Sequence, residues 1–274
     1  RPSTRLLLRW ILLAFIPSSF LLGVTTHITL NVAAIPLLWV VPLALYLLRF
    51  IIVFANWPAR YHRTMIVTLP VVLLLLAFDV MPGVPDLPYL MQVFLPLVGL
   101  GVVAMVCHGE LARMRPTTDY LTLFYLLMSI GGALGGLFNA LLAPLLFVDT
   151  YEYAMVLVLA ALIMPRLDES DRLWKKGWLP YLLSRRMPFS ANWAWIIGLA
   201  IGSGLSFWIM RVLKGQPFPL RALCAGVPLL LCYGMVGRPL RFGTGLGVVL
   251  FMAFAMSAWF GDQVLYQTRT FFGV

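Results

Sequence analysis

Apolar runs of about twenty residues follow one another along nearly the whole chain, and nothing else in the sequence constrains its fold so tightly. A helix needs about 20 apolar residues to cross roughly 30 Å of hydrocarbon. Inside lipid only helices or closed barrels satisfy every backbone N–H and C=O, and runs this long mean helices. The runs predict spans at 6–25, 34–55, 64–82, 88–107, 119–147, 151–165, 193–213, 219–237 and 242–261. The expected fold is therefore all-α: a polytopic transmembrane helical bundle of about nine spans, with Pro-broken helices and one basic interfacial loop. The sixth span is short and the fifth long, so a tilt or a shifted boundary is expected there.

Composition excludes the water-soluble alternatives. Only 11% of the 274 residues are charged and 62% are hydrophobic, whereas an ordinary soluble domain is about one quarter charged. Too few charged side chains remain to build a polar shell. The excess of 20 Lys and Arg over 10 Asp and Glu does not indicate nucleic acid, because the cations lie between apolar runs and are not gathered on one soluble face. Cys107, Cys224 and Cys232 fall within or at the ends of apolar runs and read as small apolar packers. No cofactor or metal is expected.

Distributed over nine spans, Arg211, Lys214, Arg221 and Arg269 fall on one side of the membrane and the other 16 of the 20 cations, Arg9 and Arg49 among them, on the other. Cytoplasmic loops carry the excess of Lys and Arg. This predicts a multi-pass protein of a bacterial cytoplasmic membrane, N-terminus inside and C-terminus outside. Four segments are expected: a six-span block at 1–165, a basic cytoplasmic loop at 166–192, a three-span block at 193–261, and a different kind of segment from 262 to 274. In the loop, Trp174, Lys175, Lys176, Trp178, Arg185 and Arg186 suit a segment lying along lipid headgroups. An unstructured tether is the alternative.

Several residues inside the spans invite a closer reading. Pro17, Pro36, Pro42, Pro70, Pro96, Pro144 and Pro228 each remove a helical hydrogen bond. Beside Pro17, Ser18 and Ser19 could bond the freed carbonyls or line a polar cavity. In "SIGGALGGLFNALLAP", Gly131 and Gly135, like Gly132 and Gly136, are four apart and offer a face for close helix approach. Asn139 extends that stripe with a polar group that needs a partner. Gly198 with Gly202 and Ser206, and Gly243 with Gly247, read as further packing faces. For the stripe from Gly131 to Asn139 the alternative is contact with a substrate.

The stretch "CHGELARMRP" (107–116) gathers a thiol, an imidazole, a carboxylate and two guanidinium groups. His108, Glu110 and Arg113 are its candidate polar site. Glu110 and Arg113 have the three-residue spacing of a helical ion pair, which reads as a helix end at the interface. The reactive alternative lacks a third group, since His27 and His62 are not placed by the sequence to complete a metal or catalytic set.

Three blocks, "LLAFIPSSFLLGVTTHITLNVAAIPLLWVVPLALYLLRF", "CHGELARMRP" and "FYLLMSIGGALGGLFNALLAPLLF", resemble in content and order the membrane part of bacterial spermidine synthase-like membrane proteins, in which a transporter-like bundle is fused to a synthase-like domain. They cover most of residues 6–165. The closing "QVLYQTRTFFGV" looks like the first strand of that second domain. The resemblance implies further helices before Arg1 and a truncated domain after Val274. It carries over no catalytic residue, because no glycine-rich donor loop with acidic ribose and polyamine ligands is matched here.

Three functions follow as expectations: a membrane anchor for an enzyme domain outside these residues, a scaffold or accessory subunit without chemistry of its own, or a transporter-like bundle that moves or senses a small polar or cationic molecule such as a polyamine. The partners expected are the lipid bilayer and other membrane helices. A cation pathway should place carboxylates at mid-membrane, yet Asp79, Glu110 and Asp119 fall near span ends, so no central charge is expected.

Overall fold

The computed structural model describes residues 2–31, 39–56, 59–84, 87–147, 150–165, 190–212 and 218–260, together with Leu37. Among these the chain forms nine helices and no strand. They are α1 (Thr4–Asn31), α2 (Val40–Asn56), α3 (Ala59–Val80), α4 (Tyr89–Arg113), α5 (Leu121–Leu137), α6 (Tyr151–Ile163), α7 (Ser190–Val212), α8 (Phe218–Tyr233) and α9 (Pro239–Phe260). A short 3₁₀ turn, Thr118–Tyr120, leads into α5, which continues through a π-helical turn, Phe138–Leu142, and a last α-turn, Ala143–Leu146.

The expected nine spans need correction. Among the described residues, five segments are long and apolar enough to cross a membrane: Thr4–Thr29, Arg60–Val80, Tyr89–Arg113, Thr118–Leu146 and Pro239–Trp259. The apolar parts of α2, α6, α7 and α8 are shorter, at 10–17 residues. At 1.5 Å per residue, the 13 residues of α6 reach about 20 Å, well short of the hydrocarbon thickness. Apolar content alone counted them as spans; among the described residues nine spans are not supported.

The prolines are absorbed in different ways. Pro17, Pro70, Pro96 and Pro228 lie inside helices that continue past them. Pro42 is in the first turn of α2, where no intrahelical donor is lost. Pro144 cannot donate to Ala140, and the chain widens just before it. The Ala143 N–H reaches back five residues to the Phe138 carbonyl.

The chain divides into two compact units. The first comprises the described residues up to Leu69 and Tyr89–Val156. Its organising element is α1, which packs against α5 and α4, while α2 packs on α4. Trp10, Leu13, Ile16, Phe20, Val24 and Ile28 recur along α1 at helical spacing and are fully buried. Trp10 meets Phe124 edge-on at 5.1 Å. Phe20 and His27 hold the Tyr153 ring at 5.3 and 5.1 Å, with Gly23 between them giving the ring room.

Glycines fix how closely α5 approaches α1. A Cβ at Gly131 would strike the Ile11 carbonyl and Ala14, and one at Gly135 would strike the Phe15 carbonyl and Ser19. At Gly132 and Gly136, turned about 100° away, a Cβ would meet nothing within 4 Å among the described residues. Of the two expected stripes, one is therefore a contact face and its neighbour is open.

The second unit comprises Pro70–Pro88 and the described residues from Leu157 onward. There α7, α8 and α9 pack on one another. Gly243 and Gly247 admit Leu162 and Val158 from α6, and Gly245 admits Met235, Leu199 and Cys232. Ser206 donates to the Cys224 carbonyl at 2.6 Å, joining α7 to α8. Gly198 and Gly202, expected to form a packing stripe, meet nothing within 4 Å among the described residues. At Gly83, where φ is +83°, the turn after α3 accepts a 2.5 Å hydrogen bond from Arg221 at the start of α8. Large side chains such as Leu145, Phe251 and Trp259 stand well exposed, a surface that suits hydrocarbon and would be an aggregation hazard in water.

Replacing Gly135 by Leu should destabilise the first unit by about 2 kcal/mol or more, because the new side chain meets backbone. Gly132→Ala should be neutral or stabilising by up to about 1 kcal/mol through helix propensity. Thermal unfolding of the two variants in detergent distinguishes them, and equal losses would show that the stripe is not the contact.

Candidate functional site

The most connected polar group in the first unit is Glu110. Helix α4 runs past Cys107 to Arg113, so the "CHGE" stretch lies inside the helix and not at its end. The Glu110 carboxylate accepts from Arg9 Nη2 on α1 at 3.0 Å and lies 3.0 Å from His62 Nε2 on α3. A carboxylate only accepts, so His62 carries its proton on Nε2. Gly109 makes this possible: a Cβ there would overlap the His62 ring. No hydrogen bond or salt bridge joins Glu110 to Arg113, whose charge nevertheless acts on the carboxylate from one turn away. Arg113 is exposed, and the ion-pair partners of Glu110 come from two other helices.

The rest of the stretch faces elsewhere. His108, 1% exposed, sits edge-on to Tyr46 and Phe50 of α2 at 5.2 and 5.1 Å, and its Nδ1 has no hydrogen-bond partner among the described residues. Cys107 is buried. His108 turns toward α2 while Glu110 turns toward α1 and α3, so imidazole and carboxylate do not converge on one point. Among the described residues no three His, Cys, Asp or Glu side chains gather as a metal site would require. The ends of α1, α3 and α4 that meet at Glu110 bring Arg5, Arg9, Arg60, Arg63, Arg113 and Arg115 to one end of the first unit.

A second polar cluster joins α1 to α5. Ser18 donates to the Gly132 carbonyl at 2.8 Å. Asn139 donates to Ser19 Oγ at 2.5 Å and to the Gly135 carbonyl at 3.1 Å. The serines after Pro17 therefore bond the neighbouring helix. Asn139 lies in the π-helical turn.

The third feature is absent from the sequence reading. Arg49, expected among the cytoplasmic cations, lies in α2 against α4. Its Nη1 donates to Met105 Sδ at 2.7 Å. Its guanidinium lies over Gly101, where a Cβ would stand 3.2 Å from Nη2. Gly101 is the midpoint of α4, nine residues and about 13 Å along the axis from Glu110. The signal was present in "YLLRFIIVF", a charge within an apolar run, but the cation count assigned it to the nearest loop. Trp174, Lys175, Lys176, Trp178, Arg185 and Arg186, expected at the lipid interface, lie outside the described residues.

Comparison with protein-family models, curated proteins and solved structures finds no match.

Glu110→Gln keeps the shape and loses the charge that Arg9 and His62 share. It should lower stability by about 1–3 kcal/mol. Arg9→Gln, at a half-exposed side chain, should lower it by less than about 1 kcal/mol. A double-mutant cycle read by detergent thermal unfolding measures the coupling, and strict additivity would refute the shared interaction. In the same assay Asn139→Ala and Ser19→Ala should each lose about 1 kcal/mol, and the double variant little more than either.

Proposed function

We propose that these helices form the membrane-embedded domain of a spermidine synthase-like protein and act as an anchor or scaffold without chemistry of their own. The observation that carries this reading is that the polar side chains joining α1 to its neighbours are met by protein groups. Glu110 is met by Arg9 and His62, Ser19 by Asn139, and Ser18 by a backbone carbonyl. Groups satisfied in this way hold helices together; a transport pathway needs groups that can exchange partners with a solute. The order of the three resembling blocks supplies the family.

The end of the first unit that gathers Arg5, Arg9, Arg60, Arg63, Arg113 and Arg115 is placed in the cytoplasm by the positive-inside rule. This puts the start of α1 inside a bacterial inner membrane. The second reading, movement or sensing of a polyamine, is disfavoured by charge. The ionisable group opposite the middle of α4 is a guanidinium, which repels a polycation and attracts none.

The test is reconstitution of the chain into liposomes with radiolabelled spermidine outside. Uptake equal to that of protein-free liposomes is the expected result. Saturable uptake that is lost in Glu110→Gln would replace the scaffold by the transporter.

A further inference from the structure

We infer that Arg49 binds an oxyanion, a phosphate or a carboxylate, in the seam between α2 and α4. The inference goes beyond the anchor reading and does not depend on it. A guanidinium carries five N–H donors and a permanent charge. Among the described residues its hydrogen bond goes to the thioether of Met105, a weak acceptor without charge. No carboxylate of the described residues lies within ion-pair distance of it. The acidic group nearest along α4, Glu110, already holds two partners.

Depth makes this matter. A long cationic side chain near a helix end normally snorkels toward water, but this one reaches the midpoint of a membrane-length helix, where ionisable residues are expensive and mark function. The fold makes space for it there. Gly101 lacks the Cβ that would press on Nη2. In the same seam the buried His108 ring offers an Nδ1 that no described group engages. A planar fork beside a glycine suits the bidentate geometry of phosphate or carboxylate. Two sources share that chemistry: an acidic phospholipid headgroup drawn in from the bilayer, and a soluble anion entering from water.

The full chain is reconstituted in phosphatidylcholine nanodiscs, and its thermal unfolding midpoint is followed in two arms. Inorganic phosphate is titrated in one, and phosphatidylglycerol replaces part of the lipid in the other. The wild type should rise by about 5 °C near saturation in one arm, and that arm names the source. Arg49→Gln should not respond. Arg49→Lys, which keeps the charge and loses the fork, should respond less than half as strongly, and Gly101→Ala should weaken the response by crowding Nη2. Met105→Leu, which removes only the thioether acceptor, should respond like the wild type; it and Gly101→Ala carry the test if Arg49→Gln does not fold. A wild type that responds in neither arm, or an Arg49→Gln response equal to the wild type's, overturns the inference.

Discussion

In hydrocarbon a polar group has no water to fall back on, and every feature of this chain follows from how that demand is met. The backbone meets it by winding into helices throughout the described residues. Side chains meet it by finding each other across helices. The central case is Glu110, whose carboxylate draws Arg9 from α1 and His62 from α3 onto α4. One charge thereby ties three helices at a common end. Removing it would leave an arginine and a buried imidazole facing nothing, so the three residues stand or fall together.

The same demand explains the α1–α5 contact, where small residues and polar ones divide the work. Gly131 and Gly135 let the backbones approach, and that closeness brings Ser18 and Ser19 within reach of the Gly132 carbonyl and Asn139. Dispersion grows with the closeness of approach, and each hydrogen bond adds a direction that pure packing lacks. The π-helical turn that carries Asn139 is set by Pro144, which cannot donate to the turn before it. A backbone restriction at one residue thus shifts the helical register of a side chain five residues earlier. Arg49 stands apart from these closed arrangements. It is a fixed positive charge opposite the middle of α4, held against a glycine and a thioether.

Much of the architecture was legible in the residues. Nine apolar runs became nine helices, since apolar length and the lack of water leave the backbone no other choice. The serine pair after Pro17, the glycine stripes and Asn139 stood out by spacing. Spacing could not say which stripe faced a neighbour, because Gly131 and Gly132 are one residue and about 100° apart on the same helix. It also misassigned Glu110. The local Glu110–Arg113 interval is visible in sequence, whereas Arg9 and His62 lie 101 and 48 residues away.

What the sequence determined by itself is the class of the protein: too few charges for a water-soluble surface, and apolar runs that must be helical. That follows from composition and period, which are local properties. Only the tertiary structure decided which helices are long enough to cross a bilayer, which glycines are contacts, where Glu110 finds its partners, and that Arg49 reaches the middle of α4 instead of a loop. Apart from helix length, each of these depends on residues distant in the chain being brought within a few ångströms, and helical periodicity records a residue's direction without recording what it meets there.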